Sequence, residues 1–401
     1  MDAHEVRCRE IYTAAIIERR DAYNCHVKQH PNSYDEPTRK HLARELAVGY
    51  YEQKGTLPEI KDLREEYNDM HSQVLQDVLL RVKRAFDGFF RRVKNGEEPG
   101  YPRIRGRNRY NCFTYPQAGS FSLTHDHRVC LSKIGSIKIK VHREIQGNPK
   151  TCTIKYEAGH WYAVFSCEVE QPEPLSAVES EVGIDLGITH FAALSDGTFI
   201  ESPRYYRKAH KTLEKRQQAL SCKKRGSHRR EKARKLVARA HRRVANQRRD
   251  FHHKQAKKLL ADHQALVFED LHLTNLVRRP KAKQVEDGTY LPNGAAFGGL
   301  NKSLLDNGLG QFMQIVMCKA ACAGRQVYKV NPNKTSQICS AWGKIGPHKE
   351  LSERVHSCIH CGVVLDRDEN AAVNIYTAWK RPTYWARLCG GLAQGVEAPP
   401  F

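Results

Sequence analysis

The sequence has no long apolar run: no stretch approaches the roughly 18–20 residues that a membrane-spanning helix needs. Its first 20 residues, MDAHEVRCREIYTAAIIERR, also lack the features of a signal peptide. The 13 cysteines are odd in number and mostly scattered singly, which argues against the disulfide framework of a secreted protein and for reduced thiols. These absences predict a cytoplasmic protein with no membrane partner.

Acidic residues are scarce relative to basic ones. The chain has 44 Asp and Glu against 66 Lys and Arg, a formal net charge of +22. A surplus of this size most often serves a polyanion, with nucleic acid as the default. Within residues 221–250 there are 13 Lys or Arg, and the acids are Glu231 and Asp250. Because i,i+4 pairing cannot neutralise the charge of this run, we favour a nucleic-acid groove over a solvated helix face. We also expect the protein to be associated with the nucleoid and to have no small-molecule substrate.

The chain has 401 residues, a length sufficient for two or three domains. The pattern of apolar and polar residues changes twice along it. Apolar residues near a period of 3.6 predict helices over 10–24 and 63–93. After a cluster of Gly and Pro at 96–102, short alternating segments predict a small antiparallel barrel or sheet. These strand segments are 112–115, 120–123, 137–141, 152–156 and 161–169. Further on we expect a long helical region over 206–260, a loop over 278–302, a helix over 304–322 and a strand over 326–330.

Three carboxylates adjoin separate buried segments. Asp185 continues the strand that contains 182–184, Glu269 ends the strand-like QALVFED, and Asp368 precedes an amphipathic helix at 371–379. Each has a structural explanation when taken alone, such as the favourable interaction of an acid with a helix N-terminus. Together, carboxylates from different elements can bind two Mg²⁺ ions about 3.5–4 Å apart, which clamp the attacking and leaving oxygens of a phosphodiester. In so basic a chain, the set predicts a metal-dependent phosphodiesterase that holds nucleic acid.

Several motifs resemble the TnpB family of transposon-associated, RNA-guided DNA nucleases, which are similar to type V CRISPR effectors. They are GIDLGIT at 183–189, VANQRRDFHHK at 244–254, VFEDL at 267–271, and NKTSQICS with LSERVHSCIHCGVVLDRDENAAVNI within 333–375. The resemblance extends upstream to 71–103 and covers roughly residues 11–380. It implies that Asp185, Glu269 and Asp368 are the catalytic triad that binds Mg²⁺. It also implies that a guide RNA from the transposon end selects double-stranded target DNA by pairing, while the protein reads a short adjacent motif.

The resemblance implies a multi-domain α/β fold: a RuvC-like nuclease of the RNase H type with an inserted zinc-ribbon-like segment, and an N-terminal β-barrel wedge domain with a helical recognition insertion. The expected regions are recognition helices at 1–95, the wedge at 96–172, the first nuclease part at 173–330, the ribbon at 331–363, the last nuclease helix at 364–380 and a disordered tail at 381–401. Candidate nucleic-acid contacts are Gln73 and Gln76 as motif readers, Arg103 and Arg105 in a basic loop with interleaved aromatics, and Arg248 and Lys254 on the basic helix.

The ribbon departs from the four-cysteine pattern of the family. Cys358 and Cys361 form one CxxC pair, but the other pair retains only Cys339, with Trp342 where a second thiolate is expected. Structural zinc takes four ligands. The sequence leaves two alternatives open: zinc on the three cysteines, with His348 or His356 as substitutes, or a remnant that packing holds, with Trp342 as a hydrophobic plug.

A second departure lies at the start of the chain. Family members usually begin with a strand that completes the barrel, whereas this sequence begins close to its first helix. We therefore expect either a shortened start or a barrel that lacks one strand and exposes a sheet edge.

Two other functions stay open. A degenerate relative would bind RNA and DNA as a regulator without cutting. An unguided, structure-specific nuclease of the RuvC type would cut branched DNA without RNA.

Overall fold

A computed structural model of the protein describes residues 1–25, 48–106, 109–170, 173–278, 294–347 and 353–389. The chain divides into two compact units, Met1–Glu170 and Gln171–Phe401. Helices and strands occur in both units, so the predicted mixed α/β, multi-domain class is confirmed.

The first unit combines helices with short strands. Its described elements are α1 (Asp2–Tyr23), α2 (Tyr50–Gly55), α3 (Leu57–Leu63), a 3-10 turn (Glu65–Asp69), α4 (Ser72–Lys94), β1 (Cys112–Tyr115), β2 (Phe121–Thr124), β3 (Arg128–Leu131), β4 (Gly135–Lys138), β5 (Asn148–Glu157) and β6 (His160–Glu168). The helix predicted over 63–93 therefore begins later than expected, after the 3-10 turn. Arg64 has an extended backbone that ends α3, and α4 begins at Ser72.

The strands of this unit form two three-stranded antiparallel sheets, β1-β5-β6 and β2-β3-β4. Among the residues that the structure describes, no ladder joins the two sheets, so strand pairing does not close the predicted barrel. The sequence pattern missed β3. Its hairpin turns at His127, which has a φ of 57°, and neither Gly nor Pro marks that turn.

One hydrophobic core joins the helices and both sheets of the first unit. Val78 and Val82 of α4 belong to the same cluster as Phe113 of β1 and Val129 of β3. Arg81 adds a polar connection, because its guanidinium bonds the Asp77 carboxylate on α4 and the backbone oxygen at the start of β1.

The second unit is built on one sheet with helices on both faces. Its described elements are β7 (Glu181–Leu186), β8 (His190–Leu194), β9 (Phe199–Glu201), α5 (Tyr205–Ser221), α6 (His228–Asp262), β10 (Ala265–Glu269), α7 (Leu273–Leu276), α8 (Gly294–Asn307), α9 (Leu309–Ala323), β11 (Gln326–Val330), β12 (Val355–Ser357), β13 (Val364–Asp366), α10 (Arg367–Lys380) and α11 (Pro382–Cys389). The sheet order is β11-β10-β7-β8-β9. The strand β8 is antiparallel to both of its neighbours, β7 and β9, whereas β10 runs parallel to both β7 and β11.

Alternation along the strands assigns each residue to one face of this sheet. Ile184 and Phe268 point to the face that α6 and α9 cover, where they belong to one apolar cluster. Val267 belongs to a separate cluster with Ile375 of α10 and Trp385 of α11. The helix α10 therefore covers the face opposite to α6 and α9.

Buried Arg325, just before β11, ties the segment that precedes β7 to the end of α6. Its Nε donates to Leu260 O at 2.9 Å and its Nη2 donates to Ser176 O at 2.8 Å. Hydrogen bonds from a charged group to backbone oxygens are stronger than neutral ones, so this side chain anchors the entry into the sheet.

Three helix predictions for the second unit need correction. The helical region predicted over 206–260 is a hairpin of α5 and α6, because Gly226 has a φ of +82° and the Ser227 hydroxyl then caps α6. Residues 294–302 of the predicted loop lie in α8, and residues 279–293 lie outside the described residues. Gly308, with a φ of +64°, separates α8 from α9 within the predicted helix 304–322.

The tail predicted to be disordered over 381–401 is also helical in part. The helix α11 spans Pro382–Cys389, and Trp385 is buried against the cluster that contains Ile375. Residues 390–401 lie outside the described residues. For 382–389 the prediction was wrong, because the burial of Trp385 depends on contacts with residues distant in the sequence.

Candidate active site

The three predicted carboxylates converge on the face of the sheet that α10 covers. In the parallel register Phe268 pairs with Ile184, so the next position places Glu269 beside Asp185 at the carboxyl ends of β10 and β7. Asp368 lies in the first turn of α10. A Cβ built on Gly187 would lie 3.6 Å from Asp368 Oδ2, so Asp368 reaches the turn that directly follows β7.

Gly183 explains why α10 can approach β7 so closely. A Cβ at this position would lie 2.3 Å from Ala372 O and 2.7 Å from Tyr376 N, both in the backbone of α10. Gly183 and Asp185 are two residues apart on one strand and face the same side. The missing side chain at Gly183 therefore lets the helix that bears Asp368 lie directly over Asp185.

Burial and mutual repulsion raise the pKa of the carboxyl groups. The pKa of Asp185 is raised well above its ordinary value, first by burial and then by the charges of Glu269 and Asp368. Burial also raises the pKa of Glu269, against a hydrogen bond from Thr335 that lowers it. For Asp368, burial and the charge of Asp366 raise the pKa. Clustered acids that repel one another are typical of sites that bind cations or transfer protons.

Polar contacts fix the backbone around these acids. Asp366 caps α10 by accepting a hydrogen bond from the Asp368 N–H at 2.8 Å. Asn307 Nδ2 donates to Gly187 O at 2.9 Å, which holds the turn after β7. The buried side chain of His252 contacts Asn307 O at 2.8 Å and so supports this arrangement from α6.

Two residues near the acids were not among the predicted site residues. The Thr335 hydroxyl donates to Glu269 Oε1, and Arg354 Nη1 lies 3.9 Å from Asp368 Oδ1. Both belong to motifs that carry the family resemblance, but position within a motif alone does not identify a contact. Only the folded chain brings Thr335 to a carboxylate 66 residues earlier.

The three predicted cysteines come together. The sulfur atoms of Cys339, Cys358 and Cys361 all lie within 4.8 Å of one another, and the sulfurs of Cys339 and Cys361 are 3.6 Å apart. Two sulfurs bound about 2.3 Å from one tetrahedral ion are about 3.8 Å apart. The cluster therefore has the spacing of thiolates that share a zinc ion. The N–H groups of Cys361 and His360 lower the pKa of the Cys358 thiol to about 7, which favours the thiolate that binds metal.

Trp342 is not the hydrophobic plug that one alternative required. It is 41% exposed, its ring centroid lies 4.4 Å from that of His360, and Lys344 Nζ lies 4.3 Å from it. A surface ring that contacts a cation and a tilted imidazole does not fill the place of a fourth ligand. His356 is buried in β12 and is not one of the three clustered ligands, and His348 lies outside the described residues.

The predicted nucleic-acid contacts lie in both units. In the first unit, Gln73 is hydrogen-bonded to Gln117, Gln76 is half-buried, and Arg103 and Arg105 are exposed. In the second unit, the predicted residues are Arg248 and Lys254.

Both of these α6 side chains have acidic partners. Arg248 Nη2 lies 3.5 Å from the buried carboxylate of Asp306, and Lys254 Nζ pairs with Asp250 at 2.8 Å. Arg248 thus has a structural contact, whereas other basic side chains of the α5–α6 hairpin face solvent. They are Lys223, Lys224, Arg225, Arg229, Lys232, Arg234, Arg243 and Arg249.

In the part of the chain that the structure describes, no helix is both long and apolar enough to cross a membrane.

Comparisons with known families match both halves of the second unit. Residues 164–279 match the family OrfB_IS605, described as "Probable transposase". Residues 310–375 match the family described as "Cas12f1-like, TNB domain". The two matched segments contain all three carboxylates and all three clustered cysteines.

Several proteins resemble more than half of the chain. The protein named "Putative RNA-guided DNA endonuclease InsQ" from Escherichia coli K12 is 32% identical over 340 residues, which are 84% of this chain and 82% of that protein. A protein with the same description from Streptomyces pristinaespiralis is 29% identical over 85% of this chain and 80% of its own. The CRISPR-associated endodeoxyribonuclease Cas12f1 of Sulfoacidibacillus thermotolerans is 25% identical over 54% of this chain and 49% of its own.

A cryo-EM structure of a Cas12f1–sgRNA–target DNA complex covers 93% of this chain and 81% of its own, at 12% identity and a TM-score of 0.48.

The relatives from Escherichia coli and Streptomyces pristinaespiralis are both named RNA-guided DNA endonucleases, and each matches this chain over most of both sequences. The class of protein that they define is the RNA-guided DNA nucleases. This chain belongs to the TnpB family, and the family predicted from the motifs is confirmed.

Proposed function

We propose that this protein is a transposon-encoded, RNA-guided, Mg²⁺-dependent endonuclease that cuts double-stranded DNA next to a short transposon-adjacent motif. The observation that carries the proposal is the convergence of Asp185, Glu269 and Asp368 on one face of the sheet, in a chain of this family. In this proposal the mixed sheet with α10 on one face and α6 and α9 on the other is the RuvC-like nuclease domain.

The three carboxylates suit a divalent-cation site. Mg²⁺ prefers oxygen ligands, and the pKa of each of these acids is raised, so a cation would relieve the repulsion that protonation otherwise relieves. When bound, two ions would supply the activation of a water molecule and the stabilisation of the leaving oxygen. The protein itself holds Asp185 and Glu269 on adjacent strands, and α10 places Asp368 beside them.

The nucleic-acid partners follow from charge. In the proposal the exposed basic side chains of the α5–α6 hairpin hold a guide RNA from the transposon end, since clustered Lys and Arg bind phosphates without reading sequence. The first unit, as recognition and wedge regions, reads the adjacent DNA motif through Gln73 and Gln76, with Arg103 and Arg105 on the backbone. Base pairing with the guide supplies the rest of the specificity.

The cysteine cluster is proposed as a zinc site in a segment that binds target nucleic acid. Three thiolates at tetrahedral spacing fit the ion. Among the residues whose side chains the structure describes, no fourth cysteine joins the cluster, and Trp342, which stands at the expected place in the sequence, has an exposed ring.

The test uses the full chain expressed with its flanking transposon DNA. Co-purified RNA is sequenced, and the complex is given Mg²⁺ and DNA duplexes that carry the matching target beside a randomised flank. We expect a discrete RNA, cleavage at one distance from one motif, and no cleavage by Asp185→Ala. Asp270→Ala, which removes the adjacent exposed carboxylate that pairs with Lys329, is the matched control and should cut normally.

Each other outcome points elsewhere. Guided binding without cleavage by the natural chain would support a regulator. Cutting of branched DNA without RNA would support an unguided nuclease. If Asp185→Ala lost RNA and DNA binding as well as cleavage, the carboxylate would have a structural role.

A further inference from the structure

Thr335 lies at the junction between the sheet and the cysteine segment. It lies five positions after the end of β11 and four positions before Cys339. The side chain is 2% exposed, and its hydroxyl donates to Glu269 Oε1. Pro332 O, at 3.1 Å, is a second acceptor within reach of the same single proton. A buried hydroxyl that meets a buried carboxylate is a specific contact, because either group would be costly to leave unpaired.

Two buried asparagines hold Thr335 in place. Asn374 Nδ2 donates to Thr335 O at 2.8 Å and to Ile338 O at 2.7 Å. Asn370 Nδ2 donates to Ile338 O at 2.9 Å, and Asn370 Oδ1 accepts the N–H of Ser340 at 2.9 Å. Both asparagines are on α10, the helix that carries Asp368. The position of the Thr335 hydroxyl is thus fixed relative to a second carboxylate of the site.

We propose that Thr335 is a positioning residue for Glu269: its hydroxyl engages one carboxylate oxygen, fixes the side-chain rotamer, and leaves the other oxygen as the metal ligand. The inference rests on the proposed function, because it assigns Glu269 to a cation. Hydrogen-bond partners of metal-binding side chains orient them and set their affinity for the ion.

The experiment compares Thr335→Val, which keeps the shape and removes the hydroxyl, with Thr335→Ser, which keeps the hydroxyl. Thr377→Val is the matched control, because its hydroxyl bonds only the backbone oxygen of Val373 on α10 among the contacts that the structure describes. Each full-length chain, purified with its RNA and stripped of metal, is titrated with Mn²⁺ under electron paramagnetic resonance. Melting temperature and, for target DNA, kcat and KM are measured on the same preparations.

We expect Thr335→Val to weaken Mn²⁺ binding by about 10–100-fold, the usual effect of losing such a partner. It should lower kcat for DNA cleavage with KM unchanged, and Thr335→Ser should restore both values to near those of the natural chain. In a Glu269→Gln background, Thr335→Val should change Mn²⁺ binding no further, since the carboxylate it positions is gone.

Two results would overturn the proposal: unchanged Mn²⁺ affinity in Thr335→Val, or the same loss in Thr335→Ser together with a lowered melting temperature, which would indicate packing alone. A natural chain that binds no Mn²⁺ would also overturn it. If the natural chain binds Mn²⁺ and Thr335→Val weakens it, but no DNA is cut, the positioning role stands and the proposed function fails.

Discussion

Replacing Gly183 with alanine tests whether the close approach of α10 to β7 sets the active site. The new Cβ would lie 2.3 Å from Ala372 O, where ordinary contacts begin near 3.4 Å, so the helix must retreat by roughly 1 Å. Overpacking of this kind costs about 1–3 kcal/mol. For a unit of this size, that corresponds to a fall in melting temperature of about 2–12 °C.

The retreat would also move Asp368, which α10 carries, away from Asp185. A misplacement of about 1 Å in a catalytic group can lower a rate about 100-fold. We therefore expect Gly183→Ala to reduce the single-turnover rate of DNA cleavage by that order while guide RNA remains bound. The assays are differential scanning fluorimetry, RNA co-purification and cleavage of a matched DNA duplex at saturating Mg²⁺.

Gly299→Ala is the matched control, because a Cβ there meets nothing within 4 Å and alanine suits the helix α8. It should cut DNA at the natural rate. A Gly183→Ala protein with unchanged melting temperature and cleavage rate would refute the reasoning, since the backbone of α10 could not then lie where the structure places it.

Three further predictions concern charge and metal. Metal-free Asp185→Asn should melt above the natural chain at pH 8, because burial and the neighbouring acids disfavour the ionised form of Asp185 in the folded chain. The difference should shrink as the pH falls toward the ordinary pKa of an aspartic acid, and equal melting temperatures at pH 8 would contradict it. Elemental mass spectrometry should find one zinc ion in the purified chain and less zinc in Cys361→Ser. Cys318→Ser, on the exposed face of α9, should hold as much zinc as the natural chain. A zinc-free natural chain would contradict the proposed site. Arg325→Met should lower the free energy of unfolding in urea by about 1–3 kcal/mol, because backbone oxygens lose their buried donor, and an unchanged unfolding midpoint would show that water replaces it.

The parts of the site that could be predicted from sequence are those with a local signal. The strands before Asp185 and Glu269 are continuous apolar runs, which is typical of strands covered on both faces. Asp366 is a helix-capping residue at the start of α10, so the position of Asp368 in the first turn follows from local chemistry. The resemblance to the four-cysteine pattern of the family likewise singled out the three thiols that meet, although it left open whether they bind zinc.

Features that depend on distant contacts could not be predicted. The hydrogen bond from Thr335 to Glu269 joins residues 66 positions apart, and the burial of Trp385 requires α10 to be in place first. The break between α5 and α6 was missed for another reason. Its glycine stands within a highly charged run whose composition favours helix, so the turn is evident only from the positive φ of Gly226 and the cap of Ser227.

The strand β13 and the helix α10 meet at a single residue. Asp366 ends β13 and is also the N-cap of α10, two positions before Asp368. Between the cysteine segment and the catalytic helix there is consequently no linker in which a change of direction could be absorbed. A tilt of the β12–β13 hairpin would therefore turn the first turn of α10 with it, so the orientation of this hairpin and the position of Asp368 are mechanically linked.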